Sequence, residues 1–175
     1  MQLIGEPPGR IAPAAELVNT LEFEAMARRK LDSLTFAPIA GSERAAFERI
    51  TFRPRMMVNT AGLDLSCNLL GASMFAPIVA GPIAEQQRFH PDGEAETARG
   101  AAAAKAVMVI PDRSSIPLEK AAAEAKAGFW FQIGPETAKD RVRQAVGLGA
   151  KAVCLTLSDA PADWKSIDGM RAGLS

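Results

Sequence analysis

The sequence predicts an α/β fold in which about four βα units form a parallel sheet behind an N-terminal helical segment. Three observations support this. Short apolar runs begin at about 76, 106, 129 and 152, a repeat of about 23–30 residues. Ala-rich stretches of helical character fill the intervals, the alternation that βαβ units require. Four such units make either an open sheet or half of an eight-unit barrel. The first run is followed by "PIAEQQRF", with no GxGxxG to cradle a phosphate, which weakens the open nucleotide-binding sheet.

Residues 1–15, rich in Pro, Gly and Ala, read as a loose arm, residues 16–70 as a helical and extended segment, and residues 71–175 as the βα units. In "AELVNTLEFEAMARRKLDSL" apolar residues recur at helical spacing (Leu17, Leu21, Phe23, Met26, Leu31), with Asn19 or Thr20 as the cap. A short helix is expected around Glu43 to Arg49, then an extended piece. "APIVAG" (76–81) is the first buried strand, followed by a helix from Glu94 to Ala104. "AVMVI" (106–110) precedes a helix over 117–127, and "FWFQIG" (129–134) one over 135–147. "AVCLTL" (152–157) precedes the last, over 164–172. Each crossover is expected to be right-handed.

Composition narrows the function. With 175 residues, 48% hydrophobic, 23% charged and no net charge, the chain reads as a soluble globular domain without an electrostatic case for nucleic acid or anionic membrane. No apolar run reaches the ~18 residues of a membrane span, and no secretory signal is visible, so a cytoplasmic location is expected. Cys67 and Cys154 form no CxxC pair, so no metal site is expected. There is no tyrosine, which removes any mechanism needing a phenol from this chain.

The single histidine lies in "RFHPDGEAETA". It reads either as a catalytic base with Asp92 and Glu94 as supporting carboxylates, or as part of a helix start. Pro91 suits a first turn and acids suit the positive helix end, so the structural reading is preferred.

The run from "RITFRPRMMVN" to "HPDGEAETARGAAAA" resembles the FMN-dependent 2-hydroxy-acid oxidoreductases, the family of glycolate oxidase and flavin-linked lactate dehydrogenase. "AAFERI", Arg53-Pro54-Arg55, "DLS" followed by "LLG", and His-Pro-Asp-Gly-Glu over 90–94 carry the likeness. The resemblance implies a (β/α)8 TIM barrel, which needs ~250 residues, so this chain is expected to supply about half of it. Either further chain or a partner, including another copy in a homo-oligomer, is then expected to cover the sheet edges.

The resemblance also implies FMN as cofactor and a small 2-hydroxy acid as substrate. It places the backbone of Gly81, Pro82, Ile83 and Ala84 beside the isoalloxazine ring, with Gln132 and Thr156 as hydrogen-bond partners of the ring. Read alone, Gln132 is a polar residue tying a strand end to a loop. The family's histidine base, its arginine partner, the flavin lysine and the phosphate loops belong to later strands, so no catalytic residue is assigned here, and His90 is not the base. Other positions depart from the family: Pro111 replaces a serine, Ile83 a threonine, and Pro38 and Gly134 two tyrosines. The substrate-arginine loop is replaced by "ADWKS". Ser158 or Asp159 takes the position of the aspartate that orients the base. Arg113 and Lys165 are the cations near the strand ends, and each reads equally as a solvated loop residue. The expected function is therefore FMN-dependent oxidation of a small 2-hydroxy acid; the alternative is a catalytically degenerate flavin-binding or assembly protein on the same half barrel.

Overall fold

The computed structural model of the chain describes residues 9–40, 44–134, 139–157 and 163–172. The chain divides into two compact units, Met1–Thr60 and Ala61–Ser175.

In the first unit, helix α1 (Thr20–Lys30) begins where expected, with Asn19 as the cap. The Asn19 side chain accepts from the amides of Leu21 and Glu22, each at 3.0 Å, and Glu22 reaches back to accept from the Val18 amide at 2.9 Å. Arg28, Arg29 and Lys30 face the negative end of the helix. A second short helix, α2 (Ser33–Phe36), was not expected; Asp32 caps it. Hydrogen bonds from the Thr35 hydroxyl and amide hold the Asp32 carboxyl below its usual range. Phe36 is buried, with the Arg28 guanidinium 5.0 Å from its ring centre. Helix α3 (Arg44–Glu48) follows. Asn19→Ala should cost about 1 kcal/mol, read as lower helicity and an earlier thermal transition, because two first-turn amides lose their acceptor.

The second unit opens with an antiparallel hairpin, β1 (Cys67–Leu69) and β2 (Ala72–Met74), that periodicity did not reveal. Its two-residue turn places Leu70 and Gly71 at φ 51° and 77°. Left-handed backbone at both positions is the turn whose twist matches the flanking strands, and glycine is natural in it whereas leucine is not.

Four parallel strands follow in sequential order: β3 (Val79–Ala80), β4 (Val107–Pro111), β5 (Phe129–Ile133) and β6 (Ala152–Leu155). Between and after them lie α4 (Glu94–Ala103), α5 (Leu118–Glu124), α6 (Lys139–Gly147) and α7 (Trp164–Ala172). Every expected βα unit is present. The first strand is shorter than the 76–81 expected because Pro77 has no amide and the Ile78 amide turns back to the Ala76 carbonyl at 2.7 Å. Helix α5 stops short of residue 127, its Ala125 leaving helical backbone ahead of the left-handed Gly128 (φ 96°). Residues 135–138 lie outside the described residues.

The two faces of the sheet differ. Met108, Ile110, Phe129, Phe131 and Ile133 pack with Ala98, Leu118, Ala121, Val142 and Ala145 of the helices. Burial of a side chain such as Phe131 or Ile110 is worth about 1.5–3 kcal/mol. On the opposite face, Val79, Val107 and Trp130 pack under Ala72 and Met74 of the hairpin. The hairpin therefore covers that face near the strand starts, and leaves the C-terminal strand ends for the site. β4 is buried along its whole length, which explains its unbroken apolar run.

Candidate functional site

The predicted residues lie at or just beyond the C-terminal ends of β3, β5 and β6, on one rim of the sheet with β4 between the first of these strands and the other two. Gln132 and Thr156 are 24 positions apart in sequence, yet the Gln132 Nε2 donates to the Thr156 Oγ1 at 2.7 Å. Alternation makes this meeting necessary. Phe131 and Ile133 face the helices, so Gln132 faces the other side, and parallel register sets it beside Pro111 on one strand and Cys154 on the next. The Thr156 amide then bonds the Ile133 carbonyl at 2.9 Å, carrying the ladder one step past β6. Both readings of Gln132 meet here: it does tie a strand end, and the residue it ties is the other ring-facing candidate.

Gly81 to Ala84 leave the end of β3 without regular structure, and Gly81, Pro82 and Ile83 are exposed. Among the described residues, the amides of Ile83 and Ala84 and the Gln132 Oε1 accept or donate no hydrogen bond. The rim thus presents two backbone donors, an amide acceptor and a hydroxyl. That set suits a neutral heteroaromatic edge carrying both acceptors and a donor, and the residues present fit the flavin ring.

Other candidates resolve differently. His90 is exposed, and its Nδ1 accepts from the Asp92 amide at 3.2 Å, a local turn contact. Helix α4 starts at Glu94 with Gly93 as its cap, so Pro91 lies in the turn before the helix rather than in its first turn. Arg113 is held by Glu85 at 2.6 Å, and its carbonyl accepts from the Glu85 amide at 3.3 Å. Lys165 sits in the first turn of α7, with its amide bonded to Asp163 Oδ1 at 3.1 Å. Ser158 and Asp159 lie outside the described residues. Burial pushes the Cys154 thiol up, against thiolate chemistry beside Gln132. Among the described residues no group of three or more His, Cys, Asp or Glu is placed to hold a metal, and no helix is long and apolar enough to cross a membrane.

Sequence reasoning missed what holds the rim in place. Glu94 is fully buried. Its Oε1 accepts from the Gln86 amide at 3.1 Å and the Ser115 amide at 3.0 Å, and its Oε2 from the Ser115 hydroxyl at 2.6 Å. Burial opposes ionisation, but the bonds from Ser115 and Gln86 outweigh it and hold the carboxyl below its ordinary range. From sequence, Glu94 is placed only as an acid suited to the positive helix end. The missed signal is its helical face: Glu94 shares that face with Ala98 and Ala101, both packed in the core.

A sheet of parallel strands with a polar rim at its C-terminal ends is the small-molecule site of a βα barrel, and these four units correspond to part of a (β/α)8 barrel. The chain belongs to the FMN-dependent dehydrogenase family, whose pattern matches residues 32–175. It is 35% identical to glycolate oxidase 1 of Zea mays and to glycolate oxidase of Spinacia oleracea, over 83% of this chain and 43% of each relative. It is 33% identical to a peroxisomal (S)-2-hydroxy-acid oxidase of Oryza sativa subsp. indica, over 82% of this chain. Mandelate oxidase with (S)-4-hydroxymandelic acid superposes with a TM-score of 0.77 at 25% identity, over 87% of this chain and 60% of that one. A mandelate oxidase variant with a C4a-OH-FMN adduct superposes at 0.74 and 27% identity, over 86% and 58%. The chain spans less than half the length of the curated relatives it matches.

Proposed function

We propose that this chain supplies the ring-binding rim of an FMN-dependent 2-hydroxy-acid oxidoreductase. The observation that carries this is the Gln132–Thr156 contact of 2.7 Å on the same rim as the unpaired Ile83 and Ala84 amides. When bound, FMN supplies the two-electron acceptor for oxidation of the substrate's α-carbon. The chain's own part is to bind and orient. The Ile83 and Ala84 amides donate to ring-edge acceptors, the Gln132 Oε1 accepts, and the Thr156 hydroxyl is held in place by the Gln132 amide. Family membership supports the cofactor, and the match to glycolate and mandelate oxidases supports a 2-hydroxy acid.

The test is titration of the purified chain with FMN, followed by fluorescence quenching and the visible band. Saturable binding well below millimolar FMN is expected. In Gln132→Leu, which removes both polar atoms and leaves Thr156 without its donor, binding should weaken about tenfold or more. Absence of saturation up to millimolar FMN overturns the proposal for this chain.

A second reading, flavin binding without turnover, is favoured by one feature. Pro111 lies in register with Gln132 and brings neither an amide hydrogen nor a hydroxyl to the rim where the family resemblance expects a serine. Anaerobic bleaching of the flavin band by glycolate or mandelate distinguishes the two once the remaining barrel units are supplied, by a longer protein or a partner: bleaching there supports oxidation, and a stable oxidised band supports binding alone.

A further inference from the structure

Resting on the FMN reading, we infer that Gln86 is a positioning residue for the cofactor: it anchors the Ile83 carbonyl and thereby aims the Ala84 amide, with the buried Glu94 holding Gln86 in turn. A segment whose amides must stay free for a ligand cannot be fixed through them; it must be fixed through its carbonyls and flanks. The Gln86 Nε2 donates to the Ile83 carbonyl at 3.0 Å. That carbonyl and the Ala84 amide belong to one planar trans peptide, in which C=O and N–H point to opposite sides. Holding the carbonyl toward Gln86 therefore holds the Ala84 N–H away from it.

Gln86 is suited to this. It is 8% exposed, and its Oε1 accepts from the Thr97 hydroxyl, which leaves Nε2 as the group facing Ile83. Its own amide is taken by Glu94, on which the Ser115 amide and hydroxyl also converge. The Gln87 amide donates to the same Ser115 hydroxyl at 3.0 Å. On the other flank the Glu85–Arg113 pair adds a second tie between the same two loops. The loop after β3 is thus sewn to the loop after β4 on both sides of Gln86, while among the described residues Gly81 to Ala84 make no hydrogen bond to that loop, and the Ile83 carbonyl is held within its own loop by Gln86.

The test uses Gln86→Met, which keeps length and loses the amide, and Thr97→Val, which frees the Gln86 amide with less risk to folding. In the flavin-free chain, 15N relaxation should show the Ile83 and Ala84 amides as ordered as those of β5. In both variants their order parameters should fall into the flexible range, below ~0.6, with β5 unchanged. With FMN added, the variants should bind about tenfold more weakly and shift the visible band of what remains bound, a change that simple destabilisation does not produce. Unchanged order at Ile83 and Ala84 in both variants overturns the inference whatever FMN does. The predicted loss of order in a chain whose wild type does not bind FMN leaves Gln86 as the anchor of this loop and removes the FMN reading alone.

Discussion

Glu94→Ala should destabilise the second unit by about 3–5 kcal/mol, a large share of the ~5–15 kcal/mol that holds a domain of this size together. The reason is not the lost charge but what it leaves behind. Three donors, the Gln86 amide and the Ser115 amide and hydroxyl, converge on a carboxylate with no exposure to water. Each loses its acceptor where solvent cannot replace it, at about 1–3 kcal/mol per fully stranded group, while partial relaxation keeps the total below the simple sum. Urea unfolding followed by circular dichroism measures the effect, and Ser115→Ala, which removes one donor, should cost roughly 1–2 kcal/mol in the same assay. Equal and small losses in both variants would mean that Glu94 is solvated and the cluster is not structural.

The same carboxylate sets an acid limit. Its folded pKa lies below the ordinary 4.5, so between the two values the unfolded chain binds more protons than the folded one. Its contribution to stability is complete above pH 4.5 and disappears as pH falls through the lowered folded value. In Glu94→Gln that part of the acid slope should vanish.

Much of the fold is legible in sequence because short apolar runs separated by alanine-rich helices allow few other arrangements. The positions of α4 and α7, and of β4 to β6, follow within a residue or two. What escaped did so for local physical reasons. Pro77 shortens β3 by removing a ladder donor, and the β1–β2 hairpin hides behind a leucine in left-handed backbone where a turn signal would be asparagine. At the rim, Gln132 and Thr156 are singled out by the family resemblance, and alternation on neighbouring strands accounts for their contact. His90, for which the structural reading is preferred, makes a local turn bond. Glu94, expected only as an acid suited to the positive helix end, is instead the buried centre of the network, because its helical phase turns it toward the core.

Gly93→Ala should cost about 2–4 kcal/mol, part of it through Ser115. Gly93 has φ 52° and ψ −133°, a conformation that any side chain finds strained by about 1–3 kcal/mol. Space is also lacking. An added Cβ would lie 2.9 Å from the Gln87 Cγ, 3.0 Å from the Ser115 Oγ and 3.3 Å from the Gln87 amide nitrogen. The Gln87 side chain can swing away, but the Ser115 hydroxyl is fixed by its 2.6 Å bond to Glu94, so the new methyl pushes on the same network that anchors Gln86. Two neighbours sharing one contact should not add. In a double-mutant cycle, Ser115→Ala removes the oxygen that Ala at position 93 would strike, so the double variant should lose less stability than the sum of the singles by at least ~0.5 kcal/mol. Strict additivity would mean that backbone strain alone accounts for the glycine. A shortfall would show that the Ser115 hydroxyl, held by Glu94, leaves too little room for a side chain at position 93.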